Sequence, residues 1–540
     1  MDSQASPTPA VLRLPNEILS AIFTLRAKAN SEHVSPNAEI CSIRLTCRRF
    51  CELSTPLIVR RTTVVDYSQP DTLARLRTVV NNPILAAGIG EVNVRLHFYH
   101  PWVAETFENF MESLLSEWEQ KRQSWWIPEC RTRGEVAFRA VIYSFIGDLI
   151  KEMESARKQQ DRYAEAVEEV CLTDDDEPSR KVIWEAYRVY KKMYEAQRLF
   201  DNGQFETTLA ETLSKMPNLR AVTLHDRDLN HNHDPDKGMD EVDEDVKAQE
   251  DRLFKLFSRP MIWEDARWIR PHDKIWPGVP INLLMNIPLA IGNAAVIVAN
   301  LSIYLSAAPD YTRLEVDPER LGQLTAAVKV MEVFQFTFQP RCRSNCGPWE
   351  LDHEGLPEYV TRELDEWRRI NQFLGAFLAA KCMYSVNINL GEFWYGSGVN
   401  SMSTVGSLGA DFAWPVASEL SSVTLVRVCL ASEKLGVVAK SMIAGGEFEL
   451  HEVYLSQGTW RDALDALREG LQSPRGVRIM LPLGGGAYTM GEDLRSFAFG
   501  RDEPDFLDFP DLPDSSYLPL RSSRAERFIA GEDIPNPLAT

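Results

Sequence analysis

Nine cysteines and nine histidines are few for 540 residues, and they do not fall into the spacings that bind metal. There is no H-E-x-x-H, and Cys342 and Cys346 stand four apart with no second cysteine pair to complete a zinc site. The chain also lacks a G-x-x-x-x-G-K-[ST] loop and a complete G-x-G-x-x-G. Gly484-Gly485-Gly486 has neither the lysine nor the hydroxyl residue that a phosphate cradle needs and reads as a turn. Ser397 and Ser407 lack the glycine spacing of a nucleophile elbow. No cofactor and no metal are expected. Basic charge is short as well: 58 Lys and Arg face 78 Asp and Glu, a net of −20, which argues against a general nucleic-acid binder. The odd cysteine count, and a start without a basic segment or apolar run, speak against a disulfide framework and a secretory leader. The expected compartment is therefore cytoplasmic or nuclear. One long stretch, Ile281 to Pro309, carries no charge, but it contains Asn282, Asn286, Asn293, Asn300 and Pro288, which hydrocarbon disfavours. It reads as a buried helix running into a buried strand.

What is present is a folded composition, 44% apolar and 25% charged. Residues 1–10 read as a disordered N-terminus. Residues 11–61 form a compact helical unit: Leu14, Ile18, Leu19, Ile22 and Phe23 recur at helical spacing, and Ile40, Ile43, Leu45, Cys47, Phe50 and Leu53 outline one or two further short helices. This unit carries 8 basic and 4 acidic side chains, so it is positive on an acidic chain. Arg44, Arg48, Arg49, Arg60 and Arg61 suggest a docking surface for an acidic partner.

From residue 62 to about 495 helical stretches alternate with short strands, the grammar of an α/β protein. Seven segments fit the L-x-x-L-x-L frame of leucine-rich repeats: Ile89-x-x-Val92-x-Val94, Leu219-x-x-Val222-x-Leu224, Val298-x-x-Leu301-x-Ile303, Met331-x-x-Phe334-x-Phe336, Met383-x-x-Val386-x-Ile388, Leu420-x-x-Val423-x-Leu425 and Leu450-x-x-Val453-x-Leu455. Their spacing is uneven, so both an irregular solenoid and an ordinary α/β domain with buried strands fit the frame. Residues 99–217 read as a helical insertion, residues 231–251 as an acidic loop and residues 496–540 as a Pro-rich acidic tail with Phe506, Leu507 and Phe509 as docked hydrophobes. His231-x-His233 beside Asp234, Asp236 and Asp240 is the most metal-like cluster, but its glycine, Gly238, and the twelfth position, Asp245, miss the EF-hand register.

The run Leu14-Pro15-Asn16-Glu17-Ile18-Leu19-x-x-Ile22-Phe23, followed by Ile43-Arg44-Leu45-Thr46-Cys47-Arg48-Arg49-Phe50-x-Glu52-Leu53-x-Thr55-Pro56-Leu57, resembles an F-box. Thr46 stands where that family commonly has an apolar residue, and the connection between the two blocks is longer than usual. The resemblance implies a three-helix unit that packs on a Skp-family adaptor and, through it, on cullin. The chain would then be a non-catalytic substrate-receptor subunit of an SCF-type ubiquitin ligase. Leu14, Pro15, Ile18, Leu19, Ile22, Leu45, Cys47 and Phe50 match the family's hydrophobic anchors and serve core and adaptor interface together. An F-box scaffold that does not promote degradation is the alternative, and an enzyme with a site inside 62–495 is a third. Exposed aromatics make good anchors, so Trp263, Trp268, Trp276, Trp394 and Tyr395 are the candidates for contact with a target protein, the alternative being that these tryptophans are core.

Overall fold

The computed structural model describes residues 10–28, 36–57, 62–114, 178–200, 202–226, 246–269, 278–306, 308, 310–338, 364–391, 420–472, 474, 476–480, 482–484 and 523–539. The alternation of apolar and polar residues in the strand frames produces one all-parallel, nine-stranded sheet. Its members are β1 (Thr62–Asp66), β2 (Glu91–Arg95), β3 (Ala221–His225), β4 (Asn300–Leu305), β5 (Val333–Phe338), β6 (Ser385–Asn389), β7 (Leu420–Val426), β9 (Met442–His451) and β11 (Gly476–Met480). The strands lie side by side in chain order, with no reversal. A smaller parallel sheet holds β8 (Cys429–Ala431), β10 (Tyr454–Gln457) and β12 (Leu483–Gly484), each following a strand of the large sheet.

Six of the seven frames fall into a single register. Val92 and Val94 pair with Val222 and Leu224, these with Leu301 and Ile303, and so on through Phe334 and Phe336, Val386 and Ile388, and Val423 and Leu425. All these side chains are buried on one face. Right-handed crossovers that always advance in one direction deposit their helices on that same face. The helices Pro70–Val80, Gln204–Leu213, Leu283–Asn293, Pro318–Ala327 and Leu364–Leu378 accordingly pack each on the next. Phe334 stacks on Phe377 of the last of these, with ring centroids 4.6 Å apart, and each such buried ring contributes about 1.5–3 kcal/mol.

The strands also share one entry geometry. The carbonyl oxygen of Gly90 accepts from both Arg220 and Ala221, and Arg220, Ala299, Glu332 and Tyr384 repeat the arrangement toward the next strand. On the exit side the chain turns through left-handed residues, Arg427 with φ 54° and Glu452 with φ 51°. That conformation costs about 1–2 kcal/mol per non-glycine residue. It is offset by backbone bonds from Arg427 to His451 and from Glu452 to Met480, and by a 2.7 Å ion pair between the two side chains.

The structure corrects the sequence reading in several places. The frame at Leu450-x-x-Val453-x-Leu455 is out of phase: Phe448 and Leu450 are the strand pair aligned with Val423 and Leu425, whereas Val453 and Leu455 lie at the corner and in β10. Strands β1 and β11 were not expected. The helical insertion contains the helices Pro101–Glu105 and Pro178–Arg198, which with Val246–Phe257 close a second, aromatic core around Trp102, Phe107, Phe110, Tyr187 and Tyr190. Residues 246–251 of the expected acidic loop are thus helical, and residues 231–245, with both loop histidines, lie outside the described residues. The uncharged stretch is helix Leu283–Asn293, with Pro288 inside it, followed by β4. No described helix is long and apolar enough to cross a membrane.

The end of the chain is not merely an acidic tail. Helix Arg524–Ile529 docks on helix Trp460–Gly470 and on β11, burying Ala525, Phe528, Ile529 and Leu538. Arg468 lies over the Phe528 ring at 4.3 Å. Glu526 accepts the edge-strand N–H of Ile479 at 3.0 Å while completing a capping box with Ser523. Phe506, Leu507 and Phe509 lie outside the described residues.

Candidate functional site

The first unit consists of helices Asn16–Lys28, Pro36–Arg44 and Arg48–Ser54, closed by the turn Thr55–Leu57. Pro15 sits just before the first helix, and its carbonyl oxygen accepts the bond from Leu19 N–H. Leu19 (0% exposed), Phe23 (5%) and Phe50 (7%) form the small core, with the Phe23 and Phe50 rings edge to face at 5.1 Å. Leu14, Ile43, Cys47, Leu53 and Leu57 pack around it half-buried. Arg49 ties the two sequence blocks together, donating from Nε to Asn16 Oδ1 at 2.8 Å and from a terminal nitrogen to the Leu14 carbonyl oxygen at 2.6 Å. Arg44 likewise bridges helices, reaching Cys51 Sγ at 3.9 Å.

This geometry divides the expected anchors, which the sequence alone left together. Ile18 is 48% exposed, Ile22 45% and Leu45 88%. Pro15 is exposed as well. Leu25, 68% exposed and three residues beyond Ile22, extends the stripe, and Val11 at 45% lies just before the unit. Neither was singled out in the sequence, although the i, i+4, i+7 spacing of 18, 22 and 25 was there to be read. A unit of about fifty residues that leaves Ile18, Ile22, Leu25 and Leu45 in water has an apolar face without a partner among the described residues.

The expected basic docking surface is smaller than the sequence suggested. Arg49 spends its guanidinium inside the unit, and Arg48 is paired with Glu52 on its own helix at 3.0 Å. Arg60 and Arg61 lie outside the described residues. The cysteines divide too: Cys41 is exposed, while Cys47 and Cys51 are half-buried, and all three are free thiols.

Of the target-contact candidates, Trp263 alone has a described side chain. Trp263 is fully buried, donating from Nε1 to the Leu96 carbonyl oxygen at 2.9 Å and from its backbone N–H to Asp226 at 2.8 Å. It is a core residue and cannot serve as an exposed anchor. The backbone of Trp268 closes the short helix Trp263–Trp268, but its side chain lies outside what is described, as do Trp276, Trp394 and Tyr395 altogether.

A dense set of ionisable groups lies at the C-terminal ends of β1 to β4, where parallel sheets commonly bind ligands. Here it binds the protein to itself. Asp226 accepts from the backbone of Trp263 and Ser306 and from the Ser306 hydroxyl, and so stitches the ends of β3 and β4 to the 3₁₀ turn. His97 Nδ1 lies 3.6 Å from Asp66 Oδ2, and both side chains are largely buried. Burial pushes the Asp66 carboxyl up, but His97 and the Ser68 bonds outweigh it and hold the group below its usual range. For His97, burial pulls downward, and Asp66 and Asp226 more than compensate against Arg95, leaving the imidazole above its usual value. Burial pushes the Cys429 thiol up to about 11, which leaves it protonated and unreactive. Among the described residues no three His, Cys, Asp or Glu side chains are placed to share a metal ion.

No protein-family model matches the chain, and no curated protein matches it.

Proposed function

We propose that this chain is a substrate-receptor subunit of an SCF-type cullin-RING ubiquitin ligase, docking on a Skp-family adaptor through residues 11–61 and presenting a target protein through the larger body. The observation that carries this reading is the division of the F-box-like anchors. Leu19, Phe23, Ile40 and Phe50 are buried within the unit, which leaves Pro15, Ile18, Ile22, Leu25 and Leu45 as a surplus apolar face. A partner that covers such a face recovers roughly 1.5–3 kcal/mol for each large side chain buried. In this reading no residue of the chain carries ubiquitin. The receptor acts by proximity, raising the effective concentration of a target lysine near the loaded carrier.

The body reads best as an irregular, leucine-rich-repeat-like solenoid. Three features support this: strands paired strictly in chain order, one carbonyl geometry repeated from Gly90 to Tyr384, and helices layered on a single face. Steps of 25 to 29 residues, from Thr63 to Val92 and from Val423 through Phe448 to Val477, match the usual repeat length of about 20 to 29.

The test is direct. Purified chain is titrated with a Skp-family adaptor, alongside Ile18→Asp/Leu45→Asp and, as a second variant, Pro15→Ala/Ile22→Ala. Both pairs are exposed, so circular dichroism and melting temperature stay at wild-type values while adaptor affinity falls at least about tenfold, the equivalent of 1.4 kcal/mol. Undiminished adaptor binding by both variants would refute the reading.

A further inference from the structure

Each strand of the large sheet turns alternate side chains away from the helix layer, and the register aligns them into rows that run across the strands. The central row reads Asn93, Thr223, Ser302, Gln335, Asn387 and Thr424, one residue from each of β2 to β7. All six are uncharged hydrogen-bonding side chains. From β3 to β7 the rows on either side, Ala221 to Ser422 and His225 to Val426, add no Asp, Glu, Lys or Arg. One quarter of the chain is charged, yet these charges appear on this face only toward the two ends, at Asp66, Glu91 and Arg95 and at Glu447, Glu449 and Arg478. Apart from Thr223, the row's side chains are half-buried and reachable. One detail shows that the row is organised for bonding: the Tyr304 hydroxyl donates to Gln335 Oε1 at 2.7 Å and fixes that side chain. With strands about 4.8 Å apart, six of them span roughly 24 Å, the reach of about seven residues of extended chain.

We infer that this row is a binding surface for an extended, uncharged segment of a partner polypeptide, recognised through amide and hydroxyl hydrogen bonds. The inference builds on the receptor reading above and specifies the chemistry of the target segment. A neutral row offers nothing to an acidic or basic stretch: a charge placed over it sheds its water and gains no counter-ion. Backbone N–H and C=O groups and Ser, Thr, Asn and Gln side chains find both donors and acceptors there. A glycan is the poorer fit, since Tyr304 is the one aromatic residue in the three rows from β3 to β7 and its hydroxyl is already engaged.

The experiment uses full-length chain and a displayed library of random peptides about ten residues long, with selected peptides resynthesised for titration. The expected result is enrichment of peptides depleted in Asp, Glu, Lys and Arg. Their affinity stays within about twofold between roughly 0.05 M and 0.5 M sodium chloride, since no ion pairs are screened. Gln335→Glu/Asn387→Asp, isosteric and on a half-buried face, weakens them at least about tenfold, and Thr424→Asp on β7 does the same independently. Binding of the Skp adaptor by the same preparations is the internal control and does not change. Charged peptides, salt-sensitive affinity, retention by both variants, or a dimer of this chain broken by those substitutions would each overturn the inference. No enrichment with intact adaptor binding overturns it and leaves the receptor reading standing. Loss of adaptor binding by the wild type overturns the receptor reading and not the chemistry of the row.

Discussion

Arg49 donates to the carbonyl oxygen of Leu14 at 2.6 Å across 35 residues of sequence, and its Nε holds Asn16 at the start of the same helix. These bonds set the angle at which the first helix leaves Pro15 and therefore the direction in which Ile18 and Ile22 point. Arg49→Ala removes charge-assisted bonds worth about 1.5–3 kcal/mol. We expect faster amide exchange across residues 16–28 and weaker adaptor binding. Arg48→Ala on the adjacent, exposed position breaks a same-helix pair worth about 0.3–0.5 kcal/mol and leaves both measurements nearly unchanged.

The His97–Asp66 pair gives the sheet a defined pH dependence. The imidazole is raised from 6.5, so its contribution is complete below that value and is lost as pH rises through the folded-state value. The carboxyl is lowered from 3.8, so its contribution is present above that value and is lost as pH falls through the folded-state value. Both therefore act between 3.8 and 6.5. Asp66→Asn should lower stability most in that window, by on the order of 1–3 kcal/mol, with the gap to wild type closing toward alkaline pH. Melting curves across pH for both proteins check this, and a gap that widens above neutrality would contradict the assignment.

Gly391 follows β6 with φ 52°, and a Cβ there would lie 2.4 Å from the Phe338 carbonyl oxygen. That atom belongs to the backbone and cannot swing aside. Gly391→Ala combines a left-handed penalty of about 1–2 kcal/mol with this clash, so it should lower the urea midpoint well beyond Gly322→Ala, where a Cβ meets open space.

Removal of residues 523–540 uncovers the edge of β11 and leaves the Ile479 N–H without its Glu526 acceptor. An exposed strand edge pairs with other chains. We expect the truncated protein to scatter light at concentrations where the full chain stays clear, and Glu526→Ala to show a milder form of the same behaviour.

The interior of the sheet was legible in the sequence because its strands are buried through apolar pairs two residues apart, and six such frames proved to be in one register. The edges were not. In β1 the position aligned with Val92 is Thr63, and β11 keeps the pair Val477 and Ile479 but has Pro474 where the frame opens, so neither presents the full apolar frame. The phase error at Leu450 has a definite cause: the strand pair Phe448 and Leu450 has Gly445 where the frame opens, whereas Leu450, Val453 and Leu455, which run around Glu452 into β10, complete the frame. Helical spacing and the F-box resemblance could place the Leu14 to Phe50 anchors on one unit but not divide them, since both faces of a short helix are apolar when one meets a core and the other a partner. For Trp263 the sequence left core and anchor both open, for a related reason. A tryptophan satisfied by the Leu96 carbonyl oxygen and one awaiting a partner look alike until the fold supplies the acceptor.

Strand pairing in strict chain order also bears on how the protein reaches this structure. Wherever the connection is short, as from β1 to β2 or from β7 through β9 to β11, each new strand finds its template among the residues just before it, and the search is local. The longest step is from β2 to β3, where Arg95 and Ala221 are separated by helices of the second aromatic core, and the step from β3 to β4 carries its remaining helix, Val246–Phe257. Closing a loop twice as long costs only about 0.6 kcal/mol more. The second core also needs helix Val246–Phe257, which follows β3, so the insertion cannot bring its two ends together before that strand is in place. The join between β2 and β3 is thus the slow step we expect in assembly, with the strands on either side able to form before it.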